Sequence, residues 1–96
     1  MEKKINQLIE QFLDYLAVEC GVAANTLAAY RRDMDKFRQF LVARGLEPEG
    51  LSADDMSEYV VDLKERSLEV SSIARHVASV RMFFKFLSSE ELIRKN

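Results

Sequence analysis

Five side chains near the end of the chain, Ser71, Ser72, Arg75, His76 and Ser79, form a polar and basic set, and residues 71–88 contain no acid. Serine hydroxyls and an arginine fork bond base edges and phosphates alike, so the set suits recognition of an anionic polymer rather than covalent chemistry. A second set, Asn25, Ala29, Arg32 and Lys36, is spaced +4, +3 and +4 and therefore lines one side of a helix. Beside it, Thr26 and the free N–H groups of a first helical turn suit a phosphate, and the small Ala28 and Ala29 let the helix approach a surface closely. Catalytic sets are missing. One cysteine, Cys20, and one histidine, His76, can build neither an internal disulfide nor a structural zinc site, so no cofactor or metal is expected, nor any small-molecule substrate. Cys20 reads as a small core or boundary residue.

Helices must carry these sets, and hydrophobic periodicity supplies four. Ile5, Leu8, Ile9, Phe12, Leu13 and Leu16 predict a first helix over residues 2–19, stopped by Gly21. Leu27, Tyr30, Met34, Phe37 and Leu41 make the buried stripe of a second, starting at residues 24–26 with Asn25 or Thr26 as cap and ending before Gly45. After a loop with Pro48 and Gly50, Ser52 caps a third helix with Asp54 and Asp55 in its first turn and Leu51 and Met56 placed as a hydrophobic staple; it ends near residue 65 or 66. Ser71 or Ser72 caps a fourth that runs to about residue 89. No strand-like alternation appears, so the fold class is all-α, a compact bundle of four main helices. Residues 90–96 read as a short turn, a short fifth helix or the start of a linker.

Helical wheels then assign faces. On the fourth helix, Ile73, Val77, Val80, Phe84 and Leu87 share one arc and are expected to face the core, which turns Ser72, Arg75 and Ser79 outward with His76 at their margin. Phe83 and Phe86 lie outside that arc, so either the first helix wraps them or apolar surface is left for a partner. Asp33 and Arg81 each fall within the apolar arc of their own helix. A charge facing a core demands a partner, so the two are expected to meet between the second and fourth helices. Tyr30 reads as a core aromatic whose hydroxyl reaches the edge.

The 96 residues suffice for one domain with one core, and 48% of them are hydrophobic. No apolar run approaches a membrane span and no apolar signal core follows Lys3 and Lys4, so the protein is expected in the cytoplasm with no membrane partner. The formal charge of −2 conceals an uneven distribution. Residues 25–45 hold five basic side chains against two acids, and residues 71–88 hold three (Arg75, Arg81 and Lys85) against none. Between them, residues 46–70 hold eight acids against Lys64 and Arg66. Such asymmetry permits a one-sided electrostatic field.

Asn25-Thr26-Leu27, then Tyr30-Arg31-Arg32-Asp33, Phe37 and Phe40-Leu41, and later Ser72-Ile73, Arg75-His76 and Val80-Arg81-Met82-Phe83-Phe84-Lys85-Phe86-Leu87, together resemble the N-terminal core-binding domain of Xer-type tyrosine recombinases of the phage-integrase family. The resemblance spans essentially the whole chain. It implies a SAM-like helical domain whose second and fourth helices face the major groove of double-stranded DNA, clamping a recombination half-site. It implicates Asn25 and Thr26, then Ser71, Ser72, Arg75 and Ser79; Arg32 and Lys36 are added by helical geometry, and His76 lies at the margin. The family often has serine shortly before the Asn-Thr pair, where Ala23 and Ala24 stand here. The resemblance further implies that residues 1–89 form the DNA-binding domain, that residues 90–96 begin the linker to a catalytic domain absent from this chain, and that the whole protein acts with other recombinase subunits. This chain alone is then not an enzyme. A helical protein–protein interaction module, using the fourth helix or the acidic third, is the alternative.

Overall fold

Left-handed glycines and one reciprocal cap punctuate a chain that is otherwise mostly helix. The computed structural model describes residues 2–93, with α1 (Glu2–Val18), α2 (Ala24–Arg44), α3 (Ala53–Glu65) and α4 (Val70–Ser89), and no strand occurs among the described residues. Gly45, at φ 65°, closes α2: its N–H bonds the Val42 carbonyl, and the Leu46 N–H bonds the Leu41 carbonyl at 2.9 Å. A side chain there would strain this conformation. At the start of α3 the Ser52 hydroxyl accepts from the Asp55 N–H at 3.1 Å while the Asp55 carboxylate accepts from the Ser52 N–H at 3.0 Å, a complete capping box.

The starts of α2 and α4 differ from expectation. Ala23 and Glu69 occupy the cap positions of α2 and α4, and no side chain caps either helix. Asn25, Thr26, Ser71 and Ser72 already lie inside the first turns, so their side chains do not serve as caps.

The α1 stripe is buried throughout, from Ile5 to Leu16. The Phe12 ring meets Phe83 at 5.4 Å and Phe86 at 5.7 Å between centroids, and Tyr15 lies 4.9 Å from Phe86. Thus α1 covers the second half of α4. From the opposite side α2 contributes Met34, Phe37, Phe40 and Leu41, and α3 seals the end with Tyr59 and Leu63. Burying each of these large side chains stabilises the fold by roughly 1.5–3 kcal/mol before entropy is counted.

Enclosure of Phe83 and Phe86 has a rigid consequence. The buried side of α4 is Ile73, His76, Ser79, Val80, Phe83, Phe86 and Leu87, while Val77 and Phe84 are only half-buried. At about 100° per residue, that arc is turned by about 70° from the one expected. His76 and Ser79 are therefore inside, not on an outward face. Arg81, expected to pair with Asp33, is exposed; Asp33 is buried as expected but bonds Arg75 instead. Cys20 is exposed rather than a core or boundary residue, because it follows the end of α1.

Beyond α4, Glu91 adopts a left-handed φ of 56°, and the Leu92 N–H bonds the Leu87 carbonyl at 2.9 Å. Leu92 and Ile93 then pack against the core as a turn rather than a fifth helix. The rest of the expected linker, residues 94–96, lies outside the described residues. Among the described residues no helix is long and apolar enough to cross a membrane.

Candidate nucleic-acid interface

Where α2 meets the first half of α4, a carboxylate sits at the centre of a polar cluster. Asp33, 1% exposed, accepts from Arg75 Nη2 on Oδ1 at 2.9 Å and from Arg75 Nε on Oδ2 at 3.2 Å. The Ser79 hydroxyl, also buried, donates to Oδ2 at 2.8 Å. Four helix residues from two elements thus converge, since His76 Nε2 stands 3.4 Å from Oδ1, close by but beyond a good hydrogen bond. A buried charge is tolerable when it is paired and hydrogen-bonded, and Asp33 meets both conditions.

The pKa directions follow from this geometry. The Arg75 guanidinium is held above its ordinary value by its hydrogen bonds to Asp33, against a smaller opposing effect of burial. Burial pushes the His76 imidazole below its ordinary value; Asp33 opposes this, while Arg75 and Lys36 add to it. His76 is neutral near pH 7. Its Nδ1 is buried without a hydrogen-bond partner, which further disfavours a proton there.

Above the cluster the α2–α4 crossing opens as a small crevice lined by Thr26, Ala29, Tyr30, Asp33, Arg75 and Ser79, with the Tyr30 hydroxyl on Met82 Sδ at 3.1 Å. The structure therefore brings the start of α2 and the first half of α4 to one place. Of the residues selected from sequence, Asn25, Thr26, Arg32, Ser71 and Arg75 are exposed, Lys36 and Ser72 are half-buried, and His76 and Ser79 are buried.

Rotation of α4 also exposes a surface that the wheel misassigned. Its outward ridge is Ser71, Ala74, Arg75, Ala78, Arg81, Met82 and Lys85, all exposed. Arg75 marks the margin toward α2 and Arg81 the margin toward the loop at Pro48, with small alanines on the crest. Arg81 and Lys85 were missed. The available signal was their position opposite Phe83 and Phe86, the two rings whose burial sets the helix orientation.

The arginines sort by partner. Arg31 pairs with Glu10, Arg38 with Asp35, Arg44 with Glu58, Arg66 with Asp62 and Arg75 with Asp33. Among the described residues, Arg32 and Arg81 have no carboxylate partner, and both are exposed. They lie on the two helices whose polar sides were singled out for an anionic partner.

Comparison with known proteins gives a consistent family. The family model described as phage integrase, N-terminal SAM-like domain, matches residues 9–91. The chain is 41% identical over 93 residues to tyrosine recombinase XerC of Herpetosiphon aurantiacus, covering 96% of this chain and 30% of that protein. It is 42% identical over 84 residues to tyrosine recombinase XerD of Rhizobium meliloti, covering 88% of this chain and 27% of that protein. It is 36% identical over 95 residues to tyrosine recombinase XerD of Chlorobaculum tepidum, covering 99% of this chain and 31% of that protein. The chain thus spans under a third of the length of these curated relatives. No solved structure matches it at the same stringency.

Proposed function

The chain belongs to the phage integrase N-terminal SAM-like domain family, as the N-terminal domain of a tyrosine recombinase, and from that premise we propose that it binds double-stranded DNA and helps to grip a recombination half-site. The observation that carries this reading is the acid-free ridge of α4 beside the start of α2, with Arg32 and Arg81 unpartnered and Lys85 exposed. A helix presenting small residues on its crest and cations on both margins fits a major groove about 12 Å wide, where such side chains reach base edges and the phosphate walls. Asn25, Thr26, Arg32 and Lys36 on α2, and Ser71, Ser72, Arg75, Arg81 and Lys85 on α4, are the proposed contacts. Buried Ser79 and His76 support the ridge from beneath. Residues 1–89 serve as the binding domain, and other recombinase subunits are partners of the whole protein in the cytoplasm.

The protein-interaction alternative is weaker, because α1 covers the phenylalanines that would have supplied its apolar surface. Titration of the chain with a duplex at several salt concentrations tests the reading. Affinity should fall steeply as salt rises, with a slope reduced by about 0.9 for each phosphate-contacting cation removed. Absence of binding at low salt would overturn it.

A further inference from the structure

Arg75 differs from every other cation on the proposed face in being held by a buried carboxylate. Its Nε and Nη2 bond the two oxygens of Asp33, at 3.2 and 2.9 Å, so one whole edge of the guanidinium is fixed. Asp33 cannot turn away, since Ser79 holds Oδ2 from below at 2.8 Å and the carboxylate is sealed between α2 and α4. Yet the Arg75 side chain is 52% exposed. Of its five N–H groups two are spent, leaving both on Nη1 and one on Nη2 along the opposite, open edge.

From this geometry we infer that Asp33 is a positioning residue which holds Arg75 as a reader of guanine in the major groove. The inference rests on the DNA-binding reading and specifies what one side chain does within it. The free edge of Arg75 presents two parallel N–H donors, the arrangement that matches O6 and N7 of guanine. Charge decides between base and phosphate. Together, Arg75 and Asp33 are net neutral, so the pair gains little from a phosphate but keeps its directional donors for the uncharged acceptors of a base edge. Unpartnered Arg32 and Arg81 retain their full charge and their freedom, which suits them to phosphates. Arg75 has also lost its rotamer freedom before any ligand arrives, so binding need not order it again. Exposed Ala74 and Ala78 beside it leave room for a base pair to approach.

The test is enrichment of preferred sequences from a pool of random duplexes by the parent chain, Arg75→Lys and Asp33→Asn, alongside salt titrations on one unselected duplex. Arg75→Lys keeps the charge and a partner for Asp33 but removes the fork. The parent should enrich guanine at one position, preferring it about 5- to 150-fold over other bases. Arg75→Lys should lose that preference while its affinity for the unselected duplex and its salt slope stay within about twofold, because phosphate contacts are untouched. Asp33→Asn, checked for intact helical content, should blur the same position with Arg75 still present; a merely structural role would lower binding without changing base preference. If Asp33→Asn does not fold, Ser79→Ala, which frees Oδ2 of Asp33 from the Ser79 hydroxyl and leaves Arg75 in place, supplies the same readout: it should blur the guanine position, and an unchanged preference overturns the positioning role. Retention of the guanine preference by Arg75→Lys, or no enriched position in the parent, overturns the inference while leaving salt-dependent binding intact. Absence of any duplex binding by the parent overturns both.

Discussion

In the second half of α4, Phe83, Phe86 and Leu87 are buried against neighbouring rings and aliphatic chains, whereas in the first half the same side of the helix buries His76 and Ser79 around a carboxylate. The apolar half is held by area, which is non-directional and tolerates small shifts. The polar half is held by hydrogen bonds at 2.8–3.2 Å, which do not. One rigid helix cannot satisfy the two independently. Enclosure of the phenylalanines sets its rotation, and Asp33 makes that rotation acceptable where the sequence turns polar.

The division into an apolar anchor and a polar register can be broken in graded steps. Phe83→Ala should be the most damaging, costing about 3–5 kcal/mol in urea unfolding, since the ring is fully buried against Phe12 and Phe37. Asp33→Ala should cost about 1–3 kcal/mol by the same measurement, because Ser79 loses its acceptor while Arg75 can turn to water. A loss as large as that of Phe83→Ala would mean that the polar half, not the rings, sets the helix orientation.

A smaller effect should appear with pH. Burial lowers the folded-state pKa of His76, so above the unfolded value near 6.5 both states are neutral and stability is complete. Below it the unfolded chain takes up the proton more readily, and stability falls until the lowered folded pKa is passed. Thermal melts of the parent and His76→Gln between pH 7 and 5 should show a steeper decline for the parent; equal slopes would remove His76 from the pH response. Least of all, Arg81→Gln should leave stability within about 0.5 kcal/mol, as an exposed side chain without a partner. It should nevertheless reduce the salt slope of duplex binding by about 0.9.

Local signals were legible and relational ones were not. The α1 stripe, the glycine stops and the Ser52 cap depend on residues within a turn or two of each other, and each appears where spacing places it. That Asp33 faces inward was readable from its neighbours on α2. Its partner was not, because choosing between Arg75 and Arg81 requires the rotation of α4, which depends on α1 rings far away in the sequence, such as Phe12 against Phe83. The same missing angle placed Ser79 and His76 outside and left Arg81 and Lys85 off the proposed face.

The unequal helix starts have a consequence for local opening. In α3 the third amide, that of Asp55, is bonded to Ser52, so its exchange with solvent deuterium requires the cap to break. Thr26 and Ser72 occupy the same position in α2 and α4 but begin behind Ala23 and Glu69, with no side chain to receive their amides. Those first turns should fray and exchange faster than the first turn of α3. Protection appearing at Thr26 and Ser72, but unchanged at Asp55, would record the moment at which a ligand completes the two helices that the chain itself leaves uncapped.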